Sequence, residues 1–213
     1  MIFKKHSELE GKHAILSPSA WRWINDDPEA LVKRLCSQYL STIGTILHDI
    51  ARKHIQHRIK LNKYDKKNVM LELVEQGVPA FVIDTINFDS MYENLMRYVN
   101  ECVAFKMSPE VVLCFGKYFF GTADAIKYDE ETRFLRIHDL KTGTTPAHRE
   151  QLMIYVALFC LEYAIKPSSI MVELRIYQGC EIDMWTPSTE EIVQVMETII
   201  AHENLMHKLR EED

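Results

Sequence analysis

The chain has 213 residues, 47% hydrophobic and 26% charged, with 25 Lys+Arg against 31 Asp+Glu for a formal net charge of −6. That length and apolar content suit one full core, or one domain with a helical appendage, and no apolar run approaches the ~18 residues of a membrane helix. The acidic balance excludes a passive basic coat on nucleic acid, and only 7 Gly and 7 Pro, without a low-complexity tract, argue against long disorder.

The charge is uneven. Residues 1–67 hold 13 Lys+Arg and 7 Asp+Glu, a surplus of +6, and residues 68–213 hold the balance of −12. Such asymmetry marks either a solvated basic helix face or a polyanion-facing surface beside an acidic site; charge alone favours the first. The opening stretch MIFKKHSELEGKH lacks the apolar run of a secretory leader. Cys36, Cys102, Cys114, Cys160 and Cys180 are widely spaced with no C-x-x-C. Together these predict reduced thiols, a cytoplasmic protein and no local zinc or iron–sulfur motif.

Ser17-Pro18 and Asp27-Pro28 each read as an N-cap followed by proline in the first turn. The second predicts a long helix from Pro28 to about Lys60, with Leu31, Leu35, Tyr39, Ile43, Ile46 and Ile50 at helical spacing. A short helix is expected over Lys66–Gln76, closed by Gly77-Val78-Pro79, and another over Phe81–Lys106. Strands follow at Glu110–Tyr118 and Phe119–Tyr128, then a polar turn at 129–132 and a strand at Phe134–Leu140. In that strand Phe134, Arg136 and His138 alternate against Leu135, Ile137 and Asp139. After a loop at Thr142–Pro146, Thr145 is expected to cap a helix from Pro146 to about Tyr163. Strands at Ile170–Tyr177 and Glu181–Trp185 flank a turn at Gly179, and a Ser188/Glu191 capping box opens a last helix to about Leu209. The order predicts an α/β or α+β fold: a helical portion to about 106, a sheet-containing core at about 107–186 and a C-terminal helix at about 188–210, all one domain.

Chemistry concentrates in residues 121–143. On a strand Asp139 and Lys141 emerge on one face while Leu140 points into the core. A carboxylate there can hold Mg²⁺, and the ammonium can orient water and offset charge on phosphate; read alone, the D-x-K spacing fits a surface ion pair better. Asp124, in Gly121-Thr122-Ala123-Asp124-Ala125, sits among small apolar residues where an unpaired carboxylate is costly. The 129–132 turn can bring it beside Asp139, so two carboxylates and a lysine converge as a metal site for phosphodiester hydrolysis or as a structural pair. Glu110 is a candidate third acid. His48 shares a helix face with Gly44, and could complete a shell of oxygens or be an ordinary structural histidine. Gln151 and Tyr155 share a face of the helix after the D-x-K strand, with His148 three residues before Gln151; Arg149 is a candidate phosphate contact.

In that order these stretches resemble the PD-(D/E)XK nuclease superfamily, in its RecB-type, lambda-exonuclease-like branch. Gly44-x-x-x-His48 resembles the upstream helix motif, Gly121-Thr-Ala-Asp124 the first acidic motif, Asp139-Leu-Lys141-Thr-Gly143 the signature, and Gln151-x-x-x-Tyr155 the motif on the following helix. Leu16-Ser-Pro-Ser19-x-Trp21 is similar to the branch's short N-terminal helix. The resemblance implies a restriction-endonuclease-like core with a mixed central sheet. It implies a Mg²⁺ or Mn²⁺ ion held by His48, Asp124, Asp139 and the Leu140 carbonyl, with Glu110 as a further acidic ligand or a group supporting the ligands from behind. It makes Asp124, Asp139, Lys141, Gln151 and Tyr155 catalytic, and Arg149, His148, Thr142 and Arg52 contacts to DNA. The chain lacks the clustered cysteines of iron–sulfur relatives, so no cluster is expected.

The implied activity is metal-dependent hydrolysis of DNA, as an exonuclease of recombination, repair or phage DNA processing. DNA ends or single strands, a recombination or replication protein and a second copy are the implied partners; no membrane is. The same residues also fit a DNA-end or structure-binding module that does not cut, or cuts only in a complex.

Overall fold

The computed structural model describes residues 4–12, 14–143 and 145–211, without the side chains of Arg210 and Glu211. Thr144, inside the expected loop, and parts of the stretch read for a leader (residues 1–3 and 13) lie outside the described residues.

Both predicted proline-bearing caps form. Ser17 Oγ accepts the Ala20 N–H at the start of a 3₁₀ helix, Pro18–Asn25. Asp27 Oδ1 accepts the Ala30 N–H at 2.8 Å and opens α1 (Pro28–Gln56). Helix α1 ends before Lys60 because the chain reverses: Arg58 takes φ 59 and the Ile59 N–H returns to the His54 carbonyl. Next comes α2 (Lys66–Glu75). The single helix expected over 81–106 is two, α3 (Ala80–Thr85) and α4 (Phe88–Ala104). Ile86 is extended, and Asn87 Oδ1 accepts the Ser90 N–H, so an N-cap interrupts a continuous apolar pattern.

The strands are β1 (Ser108–Phe115), β2 (Phe119–Asp129), β3 (Phe134–Lys141), β4 (Met171–Gln178) and β5 (Glu181–Trp185). They form one sheet in the order β1-β2-β3-β4-β5, antiparallel except for β3–β4. That parallel pair needs a crossover, which α5 (Glu150–Glu162) provides. The final helix, α6 (Thr189–Glu211), starts with the expected capping box: Glu191 N–H to Ser188 Oγ and Ser188 N–H to Glu191 Oε2. The protein is therefore an α+β fold with a mixed five-stranded sheet flanked by helices and a helical N-terminal portion.

Two cores lie on the sheet's faces. Ile43, Leu47, Leu73, Val82, Leu95 and Val99 from α1–α4 pack over Leu140 and Tyr177. Leu152, Val156 and Phe159 of α5, with Ile192 and Ile199 of α6, pack over Leu135, Ile137, Leu174 and Ile176. The β3 alternation holds: Leu135 and Ile137 face α5, and Leu140 joins the other core.

Helix α5 starts at Glu150, not Pro146, so Thr145 caps nothing and His148 does not share the helical face of Gln151. The intervening segment is held from β4 instead. Gln178 Nε2 donates to the carbonyls of Gly143 (2.8 Å) and Thr145 (2.7 Å), and Gln178 Oε1 accepts the Ala147 N–H (3.1 Å). Among the described residues no helix is long and apolar enough to cross a membrane.

Candidate metal centre

Strand alternation breaks where the acids sit. Ala123 belongs to the core under α5, Ala125 to the core under the N-terminal helices, and Ile126 to the α5 core again. Opposite this break, Glu110 has φ 52, between the paired residues Pro109 and Val111. A left-handed residue without a glycine's freedom costs roughly 1–3 kcal/mol, and strand irregularities of this kind re-aim side chains beside functional sites. Glu110 and Asp124 stand on the α1 side, opposite Val111 and Ala123 of the α5 core, and the irregularity falls directly beside them.

Helix α1 supplies the third group. A Cβ on Gly44 would stand 2.9 Å from Thr142 Oγ1, so glycine lets the segment after β3 approach the helix. One turn on, His48 Nδ1 lies 3.5 Å from Asp124 Oδ2. One ligand atom from each of His48, Glu110 and Asp124 falls within 4.8 Å of the others. They line an open cleft of about 790 Å³ with Thr122, Thr142 and Arg52.

The β2–β3 ladder ends at Ala125–His138. Beyond it the Asp124 carboxylate, instead of the β2 backbone, takes the Leu140 N–H at 2.9 Å. Leu140 thus enters the centre through its amide. Burial, and then the neighbouring Asp139 charge, push the Asp124 carboxyl up to about 6, against the opposing pull of His48 and the Leu140 N–H.

Asp139 and Lys141 do emerge together, on the α5 side. Asp139 is 2% exposed. Its Oδ2 lies 3.0 Å from Lys141 Nζ but receives no well-directed hydrogen bond. Lys141 Nζ donates to Asp139 Oδ1 at 3.2 Å and to Gln151 Oε1 at 2.8 Å. Tyr155 acts elsewhere: its hydroxyl donates to the Thr122 carbonyl at 2.6 Å, and its ring lies 3.1 Å from where a Gly121 Cβ would be. Glycine at 121 admits the ring, and the ring braces the strand that carries Asp124.

The residues expected to touch DNA lie in different places. Thr142 and Arg52 line the cleft, but Arg52 Nη2 is bound to Asp49 Oδ1 at 2.5 Å, and Lys53 also pairs with Asp49. Both cations beside His48 are thereby tied to one acid of their own helix. Arg149 is forked onto Asp183 (2.8 and 2.5 Å) and stacked on Trp185, at the β5 edge. His148 is an exposed residue beside Glu150.

Sequence reasoning missed Gln178 and Asn94. Asn94 Nδ2 donates to the carbonyls of Lys141 (3.3 Å) and Tyr177 (3.1 Å), tying α4 to the ends of β3 and β4. Its position within the apolar stripe of α4, beside Leu95 and Tyr98, was the available clue; a buried amide needs partners. Gln178, before Gly179, has no such signal, since a polar residue beside a turn is ordinary. Replacing it with alanine frees Gly143, Thr145 and Ala147, beside Thr142. Gln178→Ala is expected to weaken Mn²⁺ binding by about ten-fold, the effect of losing a supporting partner around a metal centre. Isothermal titration would measure it; affinity equal to wild type would show that this staple does not position the centre.

The carboxylate oxygens and single imidazole at the cleft, with the undersupplied Asp139 Oδ2 nearby, fit a hard divalent cation of the Mg²⁺/Mn²⁺ class. No curated protein and no solved structure significantly matches the chain. A family described as a protein of unknown function, DUF2800, matches residues 13–206. That span covers most of the 213 residues, and the chain belongs to the DUF2800 family.

Proposed function

We propose that this protein is a divalent-metal-dependent DNA nuclease, acting from ends as an exonuclease and working in the cytoplasm of a bacterium or phage-infected host. The observation that carries the reading is the convergence of His48, Glu110 and Asp124 in one open cleft, beside a local break in strand alternation.

His48, Glu110 and Asp124 would hold the ion, with Asp139 as the adjoining acid. A bound Mg²⁺ or Mn²⁺ would supply Lewis acidity and lower the pKa of water. Lys141 places a positive charge on the D-x-K face, where it orients water and offsets charge developing on phosphate. Gln151 fixes the ammonium through the 2.8 Å bond, and Tyr155 keeps β2 in place. Thr142 offers a hydroxyl to phosphate at the cleft wall.

The test is cleavage of linear duplex, single-stranded and circular DNA with Mg²⁺, Mn²⁺ or chelator, by wild type and Asp124→Ala. The expected result is metal-dependent loss of linear DNA, sparing circles and absent in the variant. Cleavage that ignores both chelator and variant would overturn the reading. Tight metal-independent binding without cleavage on any substrate would replace it with the end-binding module.

A further inference from the structure

Helix α1 is the common wall of two adjoining cavities. Its second half lines the acidic cleft, and its first half, with α4, lines an apolar groove of about 920 Å³. Leu40, Thr142 and Gly143 line both. From Cys36, in the groove, to His48, in the cleft, α1 rises about 18 Å. A flexible polymer seated at the acids therefore reaches the groove by following one helix.

The groove has a distinct chemistry. Val32, Cys36, Leu40, Ile86 and Met91 supply its apolar walls, and its volume falls within the ordinary range of ligand sites. Asn94, which also lines it, donates its amide hydrogens to the Lys141 and Tyr177 carbonyls. Lys33 stands among the lining residues and makes no ion pair among the described residues.

We propose that this groove receives a nucleobase of the strand whose phosphate lies at the His48–Glu110–Asp124 cleft, a few nucleotides away. The inference rests on the nuclease reading and deepens it by naming the substrate: an unpaired or frayed end. A base must leave its stack to enter an apolar pocket. Apolar walls accept the face of any base, so recognition is indifferent to sequence. Lys33 meets the backbone at the rim. A lipid tail or an apolar peptide would match the walls but would have no use for the residues shared with the acidic cleft.

The experiment is an abasic scan. Short single-stranded oligonucleotides, each with one abasic site stepped inward from the end, are bound by the full chain with Ca²⁺ in place of Mg²⁺ and followed by fluorescence anisotropy. Wild type is expected to show one position, or two adjacent ones, where loss of the base weakens binding about ten-fold. Val32→Trp fills the groove from a half-exposed wall and is expected to flatten that profile. Circular dichroism verifies its fold, and the wild-type scan stands without it.

A flat wild-type profile overturns the base pocket, as does an undiminished position effect in folded Val32→Trp. If intact DNA is still cut with metal, the nuclease reading survives that failure. If wild type cuts no DNA under any metal, the nuclease reading itself has failed. A concentration-dependent dimer that Val32→Trp abolishes would assign the groove to a second copy and also overturn the proposal.

Discussion

Lys141→Met is expected to slow single-turnover cleavage by about 10²–10³-fold, the range for removing one preorganised charge-stabilising donor. Lys141 is the only described cation paired with Asp139, and Gln151 holds it from the opposite side. The same substitution leaves Asp139, 2% exposed, without a counter-charge. Breaking a buried pair from one side costs roughly 3–5 kcal/mol; this pair lies toward the lower end, because the Lys141 side chain is 29% exposed. Lost activity alone would therefore be ambiguous. The double variant Lys141→Met/Asp139→Asn reads the stability effect, because it removes both charges together, and single-turnover cleavage by Lys141→Met at a temperature where it is fully folded reads the chemical one. The double variant's melting temperature should return most of the way to wild type while cleavage stays lost. Recovery of cleavage along with stability would reduce Lys141 to a structural partner of Asp139.

What the sequence revealed and what it concealed divide by range. The caps at Ser17, Asp27 and Ser188 are satisfied within three residues, and each forms where local rules place it. The period-two pattern of β3 was equally legible, because one strand's pleat decides it. That is why Leu140 in the core and Asp139 with Lys141 on one face could be anticipated. The misplaced start of α5 shows the limit. Thr145-Pro146 has the composition of a helix start, but Gln178, on a strand paired in parallel with β3, holds that segment open. The pairing of Arg149 was concealed for the same reason: its partner, Asp183, lies on β5. The break at Asn87 was concealed differently, since an asparagine side chain turned a continuous apolar stripe into two helices.

The candidate centre was half legible. His48, Asp124 and Glu110 were each named from residue type and neighbourhood, but nothing in their spacing shows that strand alternation fails at 124–125 or that Glu110 takes a left-handed backbone. What completes the group is the long-range packing of α1, which lays His48 against the two acids. A period-two reading of β2 places Asp124 and Ile126 on a common face, whereas Ile126 lies in the core under α5, away from α1. The glycines are intelligible only with their neighbours in view: Gly44 for Thr142, Gly121 for Tyr155.

Asp124→Asn is expected to stabilise the metal-free protein while abolishing cleavage. The Asp124 carboxyl is pushed up to about 6 from 3.8, mainly by burial and then by Asp139. A folded-state value above the unfolded one means that the folded chain binds the proton more tightly. Its contribution is fully present below about pH 4 and is lost as pH rises through about 6. The displacement corresponds to a penalty on the order of 3 kcal/mol above that window. Asparagine has no charge to desolvate, and its amide oxygen can still accept the Leu140 N–H. In chelator at about pH 8 the variant should therefore melt several degrees above wild type, and the advantage should vanish near pH 4. Mn²⁺ should reverse the order, because a cation beside Asp124 compensates the charge that burial disfavours and binds only the folded protein. A variant that melts below wild type in chelator at high pH would show that Asp124 is held by structural partners rather than held ready for a cation.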